Sequence, residues 1–256
     1  MSTSLRILVV TAVEAERDAV LAGLTGQPAV GAVHGLRVHR ALTGAGLLDV
    51  VSGGVGPVAA AVSTGCLLRQ PYDLAVSAGL GGGFPAAPVG AVVVAGAVVH
   101  ADLGAETADG FVSMADLGWG AVRHPVQAGL AAEVSRRTGA ITGTVLSVST
   151  VTGSQRRADQ LLARHPDAVA EAMEGVGVCL AADRAGVPFV ELRAISNPVG
   201  PRDRESWQIP DALAALGAAF DRLLAEPLDI RALDIRALDI RALDIRADGS
   251  SPGAGR

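Results

Sequence analysis

The stretch Arg6-Ile-Leu-Val-Val-Thr-Ala-Val13 constrains the fold more than any other part of the chain. It is an unbroken apolar, β-branched run without polar alternation, so both faces of the strand it forms must be covered. Parallel sheets with helices on both sides provide that environment. The next segment, Glu14–Leu24, has helical spacing, with Ala15, Ala19, Val20 and Leu24 apolar. This strand-then-helix alternation recurs along the chain. Leu36–Thr43, Leu48–Ser52, Asp73–Ser77, Val89–His100, Gly143–Ser149 and Val187–Ile195 read as strands. Val58–Leu68, with Pro57 suited to the first helical position, reads as a helix. Val169–Asp183 leads into a helix that Gly186 ends, and Pro210–Ala225 reads as a long helix with a wide apolar face. The pattern predicts a single α/β domain of three α/β/α layers, with a mixed, mostly parallel and partly barrel-like central sheet.

With 256 residues, half of them hydrophobic, the chain can bury one large core. Residues 1–226 are expected to form the domain. Residues 227–256 read as an appended tail, because Leu-Asp-Ile-Arg-Ala is repeated without error over residues 228–247. A five-residue period matches neither helix nor strand, so the repeat forms no single apolar stripe. Net charge is −5 and lysine is absent, which removes the basic footprint of a nucleic-acid binder. Cys66 and Cys179 sit in small apolar helical stretches and read as buried free thiols; no metal-ligand set accompanies them. Glu14 and Glu16 interrupt the N-terminal apolar run, and Ala91–Val99 is too short to span a bilayer. A cytoplasmic protein without membrane or nucleic-acid partners is expected.

In a parallel sheet, strand ends converge on one crevice. Glu14 and Glu16 follow the first strand, Gly79-Leu80-Gly81-Gly82-Gly83 follows a middle one, and Asn197 follows the last; Glu174 precedes a helix. A carboxylate that accepts from two hydroxyls, beside an amide that can face a flat heterocycle, suggests a nucleoside pocket. Each residue also has a plain reading. The glycines suit a tight turn, Glu174 suits a helix N-terminus, Asn197 before Pro198 suits a turn, and Glu16 suits a solvated first helical turn. The glycines do not fit the dinucleotide fingerprint.

Five segments carry a resemblance. In order, they are Val13-Glu14-Ala15-Glu16-Arg17, Ser52-Gly53-Gly54-Val55-Gly56-Pro57-Val58-Ala59-Ala60-Ala61, Ser77-Ala78-Gly79-Leu80-Gly81-Gly82, Met173-Glu174 and Arg193-Ala194-Ile195-Ser196-Asn197. Together they resemble the nucleoside phosphorylase/nucleosidase superfamily, nearest its methylthioadenosine/S-adenosylhomocysteine nucleosidase branch, over about residues 5–225. The resemblance implies hydrolysis of an N-glycosidic bond without metal or organic cofactor. It implies that Glu16 holds and deprotonates water, and that Glu174, next to Met173, takes ribose hydroxyls. It also implies a homo-oligomer, a dimer or tetramer. Gly79, Leu80, Val151, Thr152 and Arg202 complete the expected substrate-binding set, and Asn197 assists departure of the base.

Glu14 and Glu16 would repel a phosphate nucleophile, which favours water; Arg17 could offset one of them but is expected to point away along the helix. The methylthioadenosine branch has Asp where this chain has Asn197. An amide NH2 carries two donors, which suit N7 and O6 of a 6-oxopurine, and such buried mispairing can discriminate about 10⁴-fold. Ser196-Asn197-Pro198-Val199-Gly200-Pro201-Arg202-Asp203-Arg204-Glu205-Ser206-Trp207 and Ala101-Asp102-Leu103-Gly104-Ala105-Glu106 resemble the futalosine-hydrolysing branch, which releases hypoxanthine. Arg202 or Arg204 would meet that substrate's carboxylate arm, or else are surface charges beside a loop.

Overall fold

The structure is a computed structural model that describes residues 5–24 and 27–230. The chain runs β1 (Leu5–Thr11), α1 (Glu14–Ala22), β2 (Ala29–Val33), β3 (Leu36–Thr43), β4 (Gly46–Ser52), α2 (Pro57–Leu67) and β5 (Leu74–Gly83). It continues through β6 (Val92–His100), a small hairpin of β7 (Gly104–Thr107) and β8 (Gly110–Ser113), β9 (Arg123–Pro125), α3 (Ala128–Thr138), β10 (Ile141–Ser147) and α4 (Gln155–Arg164). It closes with β11 (Ala168–Ala172), α5 (Gly175–Ala185), β12 (Phe189–Pro198) and α6 (Ile209–Leu224).

One mixed sheet has the order β11-β10-β6-β12-β5-β1-β4-β3-β2, with β9 added beside β6. The run β4-β1-β5-β12 is parallel throughout. An antiparallel pairing of β11 with β5 joins the first strand of the order to the fifth, giving the sheet a partly closed, barrel-like half. The β1 run expected to need cover on both faces has it: Leu8, Val9 and Val10 are fully buried. Helices α1, α3 and α6 pack together, and α2 packs on α5. Along α6, Ala212, Leu216, Ala219, Phe220 and Leu223 form the buried stripe that the helical spacing requires. Cys179 is a buried free thiol, pushed up to about 12 by burial, whereas Cys66 is only half-buried.

A buried carboxylate knits the β1–β4 region. Asp49 accepts from Arg40 at 2.7 and 2.8 Å, from Arg6 at 3.0 Å and from the Tyr72 hydroxyl at 2.7 Å. Burial alone would raise this carboxyl, but the hydrogen bonds from Arg40, Tyr72 and Arg6 outweigh it and hold the carboxyl below its ordinary value.

Two expectations change. The glycine segment after Ser77 is not a loop: β5 continues through Gly83, because β12 pairs with it as far as Pro198 and β11 flanks its end. The tail does not begin at 227 as an unpacked appendage. Leu228 and Ile230 are 3% and 5% exposed and belong to the main core, and Arg137 bonds the carbonyls of Glu226 and Pro227. The remaining repeats, from residue 231 on, lie outside the described residues.

Candidate active site

Where β5, β11 and β12 meet the start of α1 and α5, the structure has a cavity of about 220 Å³. Glu16, Leu80, Val151, Thr152, Met173, Glu174, Asn197 and Arg202 all line it, so the strand-end convergence read from the sequence is present in space.

Glu16 is the third residue of α1, and its side chain folds back over the helix start. One carboxylate oxygen accepts from the N–H groups of Ala12 and Val13, at 2.9 and 3.3 Å; the other accepts from Leu80 N–H at 2.8 Å. It is 6% exposed, so the reading of a solvated first-turn residue fails. Glu14 does not share the site. Its side chain is 71% exposed and pairs with Arg17, which also binds Asp18 and points away from the cavity as expected. Two residues along a helix means a rotation of about 200°, so these two carboxylates cannot face one ligand.

Glu174 stands at the N-cap of α5 but makes no capping bond with its side chain. One carboxylate oxygen accepts from Gly56 N–H at 3.1 Å, and the other from Arg193 at 3.1 Å. Arg193 is fully buried and also binds Glu191 at 2.8 Å and Ser77 Oγ at 2.8 Å. Among the described residues, the second Glu191 oxygen has no hydrogen-bond partner. Burial raises the Glu191 carboxyl and Arg193 opposes that rise. Arg193 and Glu191 were not singled out for any role from the sequence. The available signal was a pair of opposite charges two residues apart within an apolar strand, which burial forbids unless they are paired.

Gly79 does not line the cavity. A Cβ there would lie 2.5 Å from a Glu16 carboxylate oxygen and 2.8 Å from an Arg193 nitrogen. Its function is to leave room for those two side chains, not to contact a ligand.

Asn197 lines the cavity, but its amide is partly engaged. Nδ2 donates to the Pro198 carbonyl at 2.9 Å and Oδ1 accepts from Ser196 Oγ at 2.8 Å. One Nδ2 hydrogen remains for a ligand, not the two expected. Thr152 is similarly committed: its N–H and hydroxyl donate to Glu171 at 2.8 and 2.5 Å. Glu171, which the sequence reading overlooked, also lines the cavity and is 6% exposed. Arg202 lines the mouth and stacks over Trp207 at 5.3 Å; Arg204 approaches the same ring at 5.8 Å without lining the cavity.

Chemically, the cavity offers three buried carboxyl groups, one amide donor and apolar walls. Arg202 is the one cation lining it among the described residues, since Arg193 lies behind Glu174 with its bonds committed. Among the described residues, no group of three or more His, Cys, Asp and Glu side chains is placed to hold a metal ion, and no helix is long and apolar enough to cross a membrane.

The model of the Phosphorylase superfamily matches residues 6–226. A futalosine hydrolase of Streptomyces coelicolor is 52% identical over 226 residues, covering 86% of this chain and 95% of that protein. A futalosine hydrolase of Acidothermus cellulolyticus is 44% identical, covering 86% and 91%. The fold is similar to that of a 5′-methylthioadenosine/S-adenosylhomocysteine nucleosidase from Colwellia psychrerythraea solved with adenine. The TM-score is 0.74 at 22% identity, covering 89% of this chain and 99% of that one.

Proposed function

As the chain belongs to the phosphorylase superfamily, we propose that its cavity hydrolyses the N-glycosidic bond of futalosine, releasing hypoxanthine and dehypoxanthine futalosine. The observation that carries this reading is that Glu16, Glu174 and Asn197 line one cavity in a chain 52% identical to a futalosine hydrolase.

Breaking the bond from ribose C1′ to the purine nitrogen leaves positive charge on the sugar and moves an electron pair onto the base. Carboxylates fixed beside the sugar and a donor fixed beside the base act on that developing charge in a dry site. Glu174 is held by Gly56 and Arg193 with lone pairs left for ribose hydroxyls. Three backbone N–H groups hold Glu16 in place, where it takes a proton from the water that attacks C1′. Asn197 donates its remaining N–H as a hydrogen bond to the departing base, which leaves with the electron pair of the broken bond and takes up a proton from solvent to become hypoxanthine.

The case for water over phosphate no longer rests on Glu14. It rests on Glu16, Glu171 and Glu174, three carboxyl groups facing a cavity whose lining cation, Arg202, stands at the mouth. Arg202 would meet the carboxylate arm of the substrate there. The reading includes a cytoplasmic homo-oligomer, with residues 1–226 as its catalytic body. Val55, Val58, Val62 and Leu180 are exposed on and around α2 and α5, which supports association through that face. Sedimentation would show a monomer if association is wrong.

Asn197→Asp tests the assignment of the base. It should lower kcat/KM on futalosine about tenfold or more, because a carboxylate sets a lone pair against N7 or O6. Unchanged turnover would show that residue 197 does not contact the base.

A further inference from the structure

Among the buried carboxyl groups lining the cavity, Glu171 is the one that takes no step in this mechanism, and its position is specific. On β11 it is registered opposite Gly82 of β5; on β12, Asn197 is registered opposite the same Gly82. Residues in one cross-strand row point to one face, and neighbouring strands are about 4.8 Å apart. The Glu171 and Asn197 Cα atoms are therefore separated by about two strand spacings, roughly 10 Å, with both side chains lining the cavity. Gly82 makes room between them for the Val199 side chain and the Asn197 amide, and all three residues line the cavity. A Cβ there would come within 2.9 Å of Val199 Cγ2 and 3.4 Å of Asn197 Nδ2. The cavity thus has an amide on one side and a carboxyl group on the other.

The hydrogen-bond capacity of each side narrows what fits. Thr152 gives its N–H to one Glu171 oxygen and its hydroxyl to the other, the pattern of a carboxylate acting only as acceptor. Each oxygen keeps a lone pair for the cavity. No cation pairs with Glu171 among the described residues, and burial raises its carboxyl while the bonds from Thr152 oppose the rise. Opposite it, Asn197 offers one N–H, with Oδ1 already engaged by Ser196. A 6-oxopurine presents acceptors at N7 and O6 on one edge and a donor, N1–H, on the edge beyond. A 6-aminopurine has a bare lone pair at N1.

We infer that Glu171 accepts the N1–H of a 6-oxopurine bound between it and Asn197, and so selects against 6-aminopurines from the edge opposite Asn197. This rests on the reading of the cavity as a purine nucleoside site and deepens it. Specificity is then shared between two residues, and Thr152 is a positioning residue that orients Glu171 and does not touch the ligand.

The test compares kcat/KM for base release from futalosine and from its 6-amino counterpart, in the wild type and in Glu171→Gln. The wild type should prefer the 6-oxo substrate about a hundredfold or more, and the variant should lose at least about tenfold of that preference, because its amide can donate to a bare N1. A parallel loss on both substrates, with the ratio unchanged, would make Glu171 merely structural and overturn the inference. A second arm needs no variant. Hypoxanthine should inhibit the wild type about tenfold better than 1-methylhypoxanthine, which lacks the N1–H; equal inhibition also overturns the inference. A wild type that releases base from neither nucleoside would instead sink the proposed function, so the two failures are separable.

Discussion

Asp49 and Arg193 each anchor a buried ionic cluster, and the two are built in opposite ways. At Asp49, one carboxylate receives two guanidinium groups and a tyrosine hydroxyl, and both of its oxygens are satisfied. At Arg193, one guanidinium serves two carboxylates, Glu174 and Glu191, with Glu16 close by across Gly79, and one Glu191 oxygen has no hydrogen-bond partner among the described residues. The first arrangement satisfies both carboxylate oxygens and lies outside the lining of the candidate site. The second carries surplus negative charge to a cavity wall, where a ligand that becomes positive during reaction would relieve it. The surplus positive charge at Asp49 sits on the partly exposed Arg6 and Arg40, whereas at Arg193 the guanidinium and Glu191 are both fully buried; burial of surplus charge is costly for stability, and it occurs at the cluster beside the candidate site.

Glu174→Gln should break the contrast most strongly. Turnover should fall about 10²–10³-fold, as for other losses of charge stabilisation at a reacting centre, while the melting temperature falls less than in Asp49→Asn. Full activity in the variant would remove Glu174 from the chemistry.

Asp49→Asn should do the reverse. It should lower unfolding free energy by about 1.5–3 kcal/mol, the range for a lost hydrogen bond to a charged group, with kcat per folded molecule unchanged. The Asp49 carboxyl is held below its ordinary value, so its stability contribution is present above the unfolded value of about 3.9 and is lost as pH falls through the folded one. The variant should therefore flatten the acid side of the stability profile; a profile that kept its acid slope would contradict this.

Glu191→Gln removes one partner of a fully buried ion pair, a loss of about 3–5 kcal/mol where the charge left behind is uncompensated and less where, as here, Glu174 still pairs with Arg193; its pH dependence should have the opposite sign. Burial raises the Glu191 carboxyl against the pull of Arg193. Its contribution is thus complete below the unfolded value of about 4.3 and is lost as pH rises through the raised folded value. Chemical denaturation at a series of pH values should show the variant losing that upper-side decline. Flattening on the acid side instead would erase the distinction between the clusters.

The same contrast separates what the sequence shows from what it hides. Glu16, Glu174 and Asn197 are legible because each stands where a strong pattern changes, at a strand end or a helix start. Their partners are not, since Gly56, Ser77, Arg193 and Glu171 reach the site from four different segments and meet only through strand register. Glu14 was grouped with Glu16 by sequence proximity, although helix phase separates them. The glycines after Ser77 look like a turn, yet β5 continues through them because β11 and β12 flank it. Exposed β2 and the short β7, β8 and β9 lack an apolar alternation, and α3 and α4 each bury only a narrow face. Helix α4 did carry a signal, its Ser154 cap, which accepts from Arg157 N–H.

The central claim is that surplus carboxylate at this cavity serves hydrolysis of a 6-oxopurine nucleoside. Its most direct test is base release from futalosine and from methylthioadenosine by the purified protein in phosphate-free buffer. The account predicts rapid release of hypoxanthine from futalosine, unaffected by added phosphate, and little or no adenine from methylthioadenosine. Release that required phosphate, or adenine release that outpaced hypoxanthine release, would contradict it.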